Sequence, residues 1–166
     1  MNQFSIEIGT VEDAAAIKQV QHDVWIHTYP NEALGITLEA IRERVSKNLT
    51  PESIERLQES MNELNQRTWV LKDDIKIIGY CTAVKNESFN QLVAIYLLPE
   101  YHDKGLGKKL IEASLEWMGS DKDIVVEVAA YNDRAIKFYE KYGFKKNGKT
   151  GNSGQIPTIH LVRSMS

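Results

Sequence analysis

The segment from Asn90 to Met118 narrows the choice of fold more than any other part of the chain. It opens with "NQLVAIYLLPE", a run of β-branched and aromatic residues stopped by Pro99, which has no N–H to give a sheet. It continues through "HDKGLGK" into "LIEASLEWM", whose apolar residues recur at helical spacing. Strand, proline stop, glycine loop and helix thus follow one another within a short span. The first N–H groups of a helix have no intrahelical partner, and glycines let a ligand come close to the backbone. Such a loop is either a plain turn or a seat for an anion, and a pyrophosphate fits the second reading. Lys104, Lys108 and Lys109 would add attraction, or form a solvated helix face, which is the simpler reading for Lys109.

The remaining elements read from periodicity. "FSIEIG" alternates as a first strand, and Thr10 with Asp13 three residues on is a capping-box variant that starts a helix over "VEDAAAIKQVQHDVWIHTY". Ala14, Ile17, Val20 and Val24 give that helix a buried stripe. Two further helices are predicted, in "TLEAIRERVSKNL" and in "PESIERLQESMNELN", the latter with Pro51 in its first turn and Ile54, Leu57, Met61 and Leu64 on one face. "RTWVLKDDIKIIGYCTAVKN" reads as a hairpin turning at Asp73 and Asp74, "KDIVVEVAA" as a strand, and "NDRAIKFYEKYG" as a helix closed by Gly143. "FKKNGKT" and "IPTIHLVRSM" form a last strand pair joined by "GNSGQ". The order is strand, helices, three strands, helix, strand, helix, two strands. That order predicts an α/β fold of the mixed-sheet kind, with helices on both faces, and the length fits one domain over 1–166.

A formal net charge of −3 argues against a general nucleic-acid binder. Cys81 is the only cysteine, so no internal disulfide forms, and no cysteine spacing suggests zinc. The N-terminus lacks a charged segment followed by an apolar one, and no stretch approaches the roughly 18 apolar residues of a membrane span. The sequence therefore predicts a cytoplasmic protein with no metal and no nucleic-acid or membrane partner.

Asn132, Ala135, Phe138, Tyr139, Gly143 and Phe144 keep the spacing Asn-x-x-Ala-x-x-Phe-Tyr-x-x-x-Gly-Phe. Together with "IYLLPEYHDKGLGKKL" upstream, this resembles the GNAT superfamily of acetyl-CoA-dependent N-acetyltransferases, over about Leu92 to Phe144. The bacterial polyamine and ribosomal-protein-alanine acetyltransferases are similar in motif. The resemblance implies a mostly antiparallel sheet in which the fourth and fifth strands are parallel and splay apart. It implies acetyl-CoA as co-substrate, its pyrophosphate held by the loop His102, Asp103, Lys104, Gly105, Leu106, Gly107 and Lys108. His102 stands where relatives have Gln or Arg, and Asp103 where they often have Gly, although Asp tolerates a left-handed backbone better than most residues. The pantetheine arm would lie along Ile95, Tyr96 and Leu97, with Asn132 at its acetyl end; Asn is also a favoured helix N-cap.

The implied reaction moves acetyl to a primary amine of a small molecule or peptide, by direct attack in a ternary complex. The rival is a catalytically silent acyl-CoA-binding or sensor domain. Tyr139 matches the family position that acts as general acid toward the departing thiolate. A phenol of pKa ~10 is about 2 kcal/mol short of protonating a thiolate of pKa ~8.5, so a strong hydrogen bond serves better than early full transfer. Glu127 is the candidate base, by the Glu-to-Tyr spacing of the ribosomal-protein-alanine enzymes; a water chain is the alternative. Gln91 cannot take a proton, and His22, His27 and His160 read as surface or structural residues. Trp25, Tyr29 and Glu32 are the expected acceptor walls, facing the "GNSGQ" loop. The early segment is loosely similar to polyamine acetyltransferases but offers few acidic groups. A homodimer is left open.

Overall fold

Strand β1 (Phe4–Ile8) is followed by helices α1 (Ala14–Thr28), α2 (Leu38–Ser46) and α3 (Pro51–Met61) before the chain returns to the sheet. Strands β2 (Gln66–Asp73), β3 (Lys76–Lys85) and β4 (Asn90–Leu97) then run consecutively. Helix α4 (Leu106–Met118), strand β5 (Ile124–Ala129), helix α5 (Asp133–Glu140) and strands β6 (Lys145–Ser153) and β7 (Ile156–Arg163) complete the chain. The computed structural model describes residues 3–166, so the first two residues of the expected 1–166 domain lie outside the described residues. The seven strands form one sheet in the order β1-β2-β3-β4-β5-β7-β6, antiparallel everywhere except between β4 and β5.

Alternation along β3 separates the two faces. Tyr80 and Thr82 face the cleft beneath α1, and Thr82 hydrogen-bonds Thr68 at 2.9 Å. Cys81 points the other way, where Ser114 of α4 lies beside its thiol, and Trp69, opposite Cys81, packs edge-on against Trp117 of α4. Phe138 of α5 abuts Gly107 of α4, so α5 shares that face. The predicted stripe of α1 is buried as expected, at Ala14, Ile17, Val20 and Val24.

Three local expectations shift. Asp13 does accept the Thr10 N–H at 2.9 Å, but this box caps a single 3₁₀ turn, Val11–Asp13, so the α-helix proper starts at Ala14. Helix α3 ends at Met61, and Leu64 lies beyond it, 99% exposed rather than on the apolar face. Both hairpins turn later than predicted. Asp73 still pairs with Lys76, leaving Asp74 (φ 57°) and Ile75 as the turn. Strand β6 likewise absorbs "GNS" and turns only at Gly154 and Gln155, because a slip between Lys146 and Thr150 takes up the extra residues.

The sheet opens at its centre. Asn90, Gln91 and Leu92 pair with Ile124, Val125 and Val126, and there the β4–β5 pairing stops while β4 runs on to Leu97. On its other edge β4 carries a bulge, since Thr82 pairs with Ala94 but Ala83 with Leu92, leaving Val93 over. A bulge bends its strand and increases its twist, which carries β4 away from β5. At the closed end the buried Asn90 side chain donates to Met118 O at 3.1 Å, fixing the end of α4 to the base of the gap.

Candidate active site

The glycine loop sits at the open end of β4. Pro99–Tyr101 makes one 3₁₀ turn, and His102 then reaches back so that its Nε2 lies 3.0 Å from Leu97 O. A carbonyl only accepts, so Nε2 carries the proton and donates. Burial, with the charge of Arg134 second, holds this imidazole below its ordinary pKa and keeps it neutral. The residue that departs from the family pattern thus braces the loop to the strand. Asp103 has φ 63° and accepts from Arg134 Nη2 at 3.0 Å, tying the loop to the start of α5. Gly105 (φ 72°) is the N-cap of α4, and a Cβ there would meet nothing within 4 Å. Its glycine is needed for backbone conformation, and the space beside it is open. Gly107 differs: a Cβ there would stand 3.3 Å from the Phe138 ring, so helix packing already claims that position. Leu106 is buried, whereas Lys104 and Lys109 are exposed and Lys108 pairs loosely with Glu112 at 3.8 Å.

A cleft of about 450 Å³ lies between α1 and the splayed strands. Lys18, Gln21 and Trp25 line it from one face of α1 and Tyr29 from the residue just past its end, met by Tyr96 of β4, Glu127 of β5 and Ser153, Ile156 and Thr158 of the last hairpin. Trp25 packs edge-on against Tyr29 with centroids 4.8 Å apart, and the Arg44 guanidinium lies 4.7 Å over its ring. Arg44 also donates to Ser153 O and Oγ, both at 2.7 Å, so one side chain holds α1, α2 and the β6–β7 turn together. Glu32 takes no part in the cleft. It is exposed in a separate 3₁₀ turn whose cap, Asn31, accepts the Leu34 N–H at 3.2 Å, which turns this stretch away from the expected wall.

Tyr139 is buried between Phe138 and Phe144, each with its centroid 5.6 Å away. Burial pushes its hydroxyl well above the usual tyrosine range, with Tyr96 and then Cys81 adding to the effect. Tyr29, Tyr80 and Tyr96 are raised mainly by burial too. Tyr96 lies close enough to Tyr29 and Tyr139 to bear on both hydroxyls, a neighbour of Tyr139 that the sequence did not reveal. The Trp25 indole is turned toward Tyr96 without reaching hydrogen-bond geometry, and its buried Nε1 has no partner.

Glu127 lies on the cleft wall. Thr158 Oγ1 donates to its Oε1 at 2.7 Å, and His160 Nε2 stands 3.6 Å from Oε2. His160 is therefore at the site rather than on an unrelated surface. Asn132 caps α5, its Oδ1 accepting the Ala135 N–H at 3.2 Å. Ile95 and Leu97 lie with Tyr96 on the stretch of β4 that has left β5. Arg44, Arg134, Thr158 and Lys18 were not singled out from sequence. Their roles come from contacts between distant segments, and none lies in the motif region except Arg134, next to Asn132 and Asp133.

A sheet that parts only beside its one parallel pair, with a glycine loop at the mouth of the gap, is the framework of an acyl-coenzyme A-dependent N-acyltransferase. Residues 36–144 match the Acetyltransferase (GNAT) family, to which the chain belongs as an N-acetyltransferase. The spermidine N(1)-acetyltransferase of Thermoplasma acidophilum is 29% identical over 155 residues, 89% of this chain and 93% of that one. The PaiA N-acetyltransferase from the same organism, solved in complex with coenzyme A, superposes with a TM-score of 0.78 at 22% identity over 99% of each chain. The ribosomal-protein-S18-alanine N-acetyltransferase of Escherichia coli superposes at 0.68 and 19% identity, over 99% of this chain and 96% of that one.

Proposed function

We propose that the protein transfers acetyl from acetyl-CoA to a primary amine of a small molecule or peptide, by direct attack within a ternary complex. The observation that carries this reading is the gap between β4 and β5, bordered by the open loop at Gly105, by Tyr96 and by the Glu127 cleft.

The residues present suit the co-substrate. Its pyrophosphate would be held by the backbone at Gly105 to Gly107, where the first turn of α4 offers unpaired N–H groups and a Cβ at Gly105 would meet open space. Its pantetheine arm would run along Ile95, Tyr96 and Leu97, whose β5-facing backbone edge has no strand partner. The thioester supplies an activated acetyl group.

The amine reaches the acetyl carbon from the α1 side. Glu127, oriented by Thr158, takes the ammonium proton directly or through water as the nitrogen attacks. Tyr139 faces the departing thiolate. Its raised pKa keeps the hydroxyl protonated at neutral pH but makes full transfer harder, so it acts by donating a hydrogen bond to the developing charge.

The test is release of free thiol from acetyl-CoA in the presence of a panel of amines. Amine-dependent, saturable release is expected. Saturable coenzyme A binding without turnover of any amine would overturn the reading in favour of a silent acyl-CoA-binding or sensor domain.

A further inference from the structure

The acceptor cleft is unusual for the charge it leaves uncompensated. Among the described residues Glu127 is the only carboxylate on its wall, and it is already engaged by Thr158 and faced by His160. Lys18 lines the cleft from α1, half-buried, with Arg56 of α3 close enough to bear on its charge. Among the described residues neither cation forms an ion pair. Burial, and Arg56 second, makes the Lys18 ammonium less favourable than a free one, a cost that an anion placed beside it would offset. Desolvating an ammonium with no counter-charge is costly, so the position suits an anionic group of a ligand.

We propose that the acceptor is an elongated amine whose far end is a carboxylate. The amine meets Glu127 and the carboxylate meets Lys18. A polyamine is the opposite of what this wall requires, because its distal ammonium would face Lys18 and Arg56 with no second carboxylate to receive it. The inference rests on the acetyl-transfer reading for the role of the cleft, but its test does not depend on turnover.

Three amines of similar length decide it: pentylamine, cadaverine and δ-aminovalerate. Their affinities are measured by calorimetry on the coenzyme A complex, and their kcat/KM by thiol release. We expect δ-aminovalerate to exceed pentylamine by about fivefold or more, the scale of one partly exposed ion pair, and cadaverine to be weakest. Lys18→Glu should reverse the order of δ-aminovalerate and cadaverine, a gain that misfolding cannot mimic. Cadaverine as the best wild-type ligand, no binding of any carboxylate, or an unchanged order in Lys18→Glu would each overturn the proposal. Binding in the expected order with no acetylation would leave the anion site standing and overturn the acetyl-transfer reading instead.

Discussion

Glu127 and His160 stand directly opposite each other across the β5–β7 pair, with Oε2 and Nε2 3.6 Å apart. Two groups able to take a proton therefore stand side by side, with Glu127 lining the cleft, and mutation separates them. Glu127→Gln keeps the shape and the Thr158 hydrogen bond but cannot accept a proton. It should lower kcat and kcat/KM together by about 10²-fold and abolish the acidic limb of the pH–rate profile, which reports the group that must be deprotonated. Rates measured across the acidic range check this. If the limb survives in Glu127→Gln and vanishes in His160→Gln, the base is His160.

Tyr139→Phe removes one hydroxyl and leaves the ring contacts with Phe138 and Phe144. The expected result is a fall in kcat of about 10²-fold with little change in coenzyme affinity. Because Tyr96 lies close enough to bear on the Tyr139 hydroxyl, the loss should be deeper in Tyr139→Phe/Tyr96→Phe than in the single variant. Steady-state kinetics and calorimetry on the three proteins decide it, and an undiminished kcat in the single variant would remove Tyr139 from the reaction.

Most of this architecture is legible in the sequence because each element states itself locally. The alternation of β1, the stripe of α1, the stop at Pro99 and the close of α5 at Gly143 are all short-range signals, and each holds. What fails is what depends on register or on distant contacts. The two hairpins turn late because strand pairing, not turn chemistry alone, selects the last bonded pair; Asp73 stays bonded to Lys76. Glu32 was placed on the wall by nearness in sequence to Trp25 and Tyr29, yet the turn after Pro30 carries it away. Lys18 lines the cleft while Arg44 and His160 contact residues of its wall, each from a separate element, and no local spacing announces them.

Cys81 gives a prediction about reactivity. It is fully buried, and burial pushes its thiol up to about 12, only partly offset by Ser114. The thiolate is the reactive form, so at pH 8 roughly one molecule in 10⁴ carries it. A disulfide reagent such as dithiobis(nitrobenzoate) should leave the native protein untouched and titrate one thiol in denaturant. Rapid labelling of the native protein would contradict this burial.

The approach of β3 to β4 depends on Gly79. A Cβ there would stand 2.8 Å from Tyr96 O and 3.1 Å from Leu97 Cδ1, so Gly79→Ala must displace the backbone of β4 itself. That is the stretch proposed to hold the pantetheine arm. Weaker coenzyme binding and a melting temperature lower by several degrees are expected together, about 1–3 kcal/mol of overpacking at 2–4 °C per kcal/mol. Calorimetry and thermal melts read both.

Gly105 and Gly107 look equivalent in sequence, and the structure separates them. At Gly107 the missing Cβ is space taken by the Phe138 ring, 3.3 Å away, so Gly107→Ala should act first on α4–α5 packing and lower the melting temperature. At Gly105 nothing lies within 4 Å, and the constraint is the left-handed φ of 72°. Gly105→Val therefore costs about 1–2 kcal/mol of backbone strain and places a branched side chain where the loop is open to a phosphate. It should abolish most coenzyme A binding in a protein that still folds, and Gly105→Ala should fall between it and wild type. If a folded Gly105→Val variant binds coenzyme A with unchanged affinity, the loop is a turn and the pyrophosphate lies elsewhere.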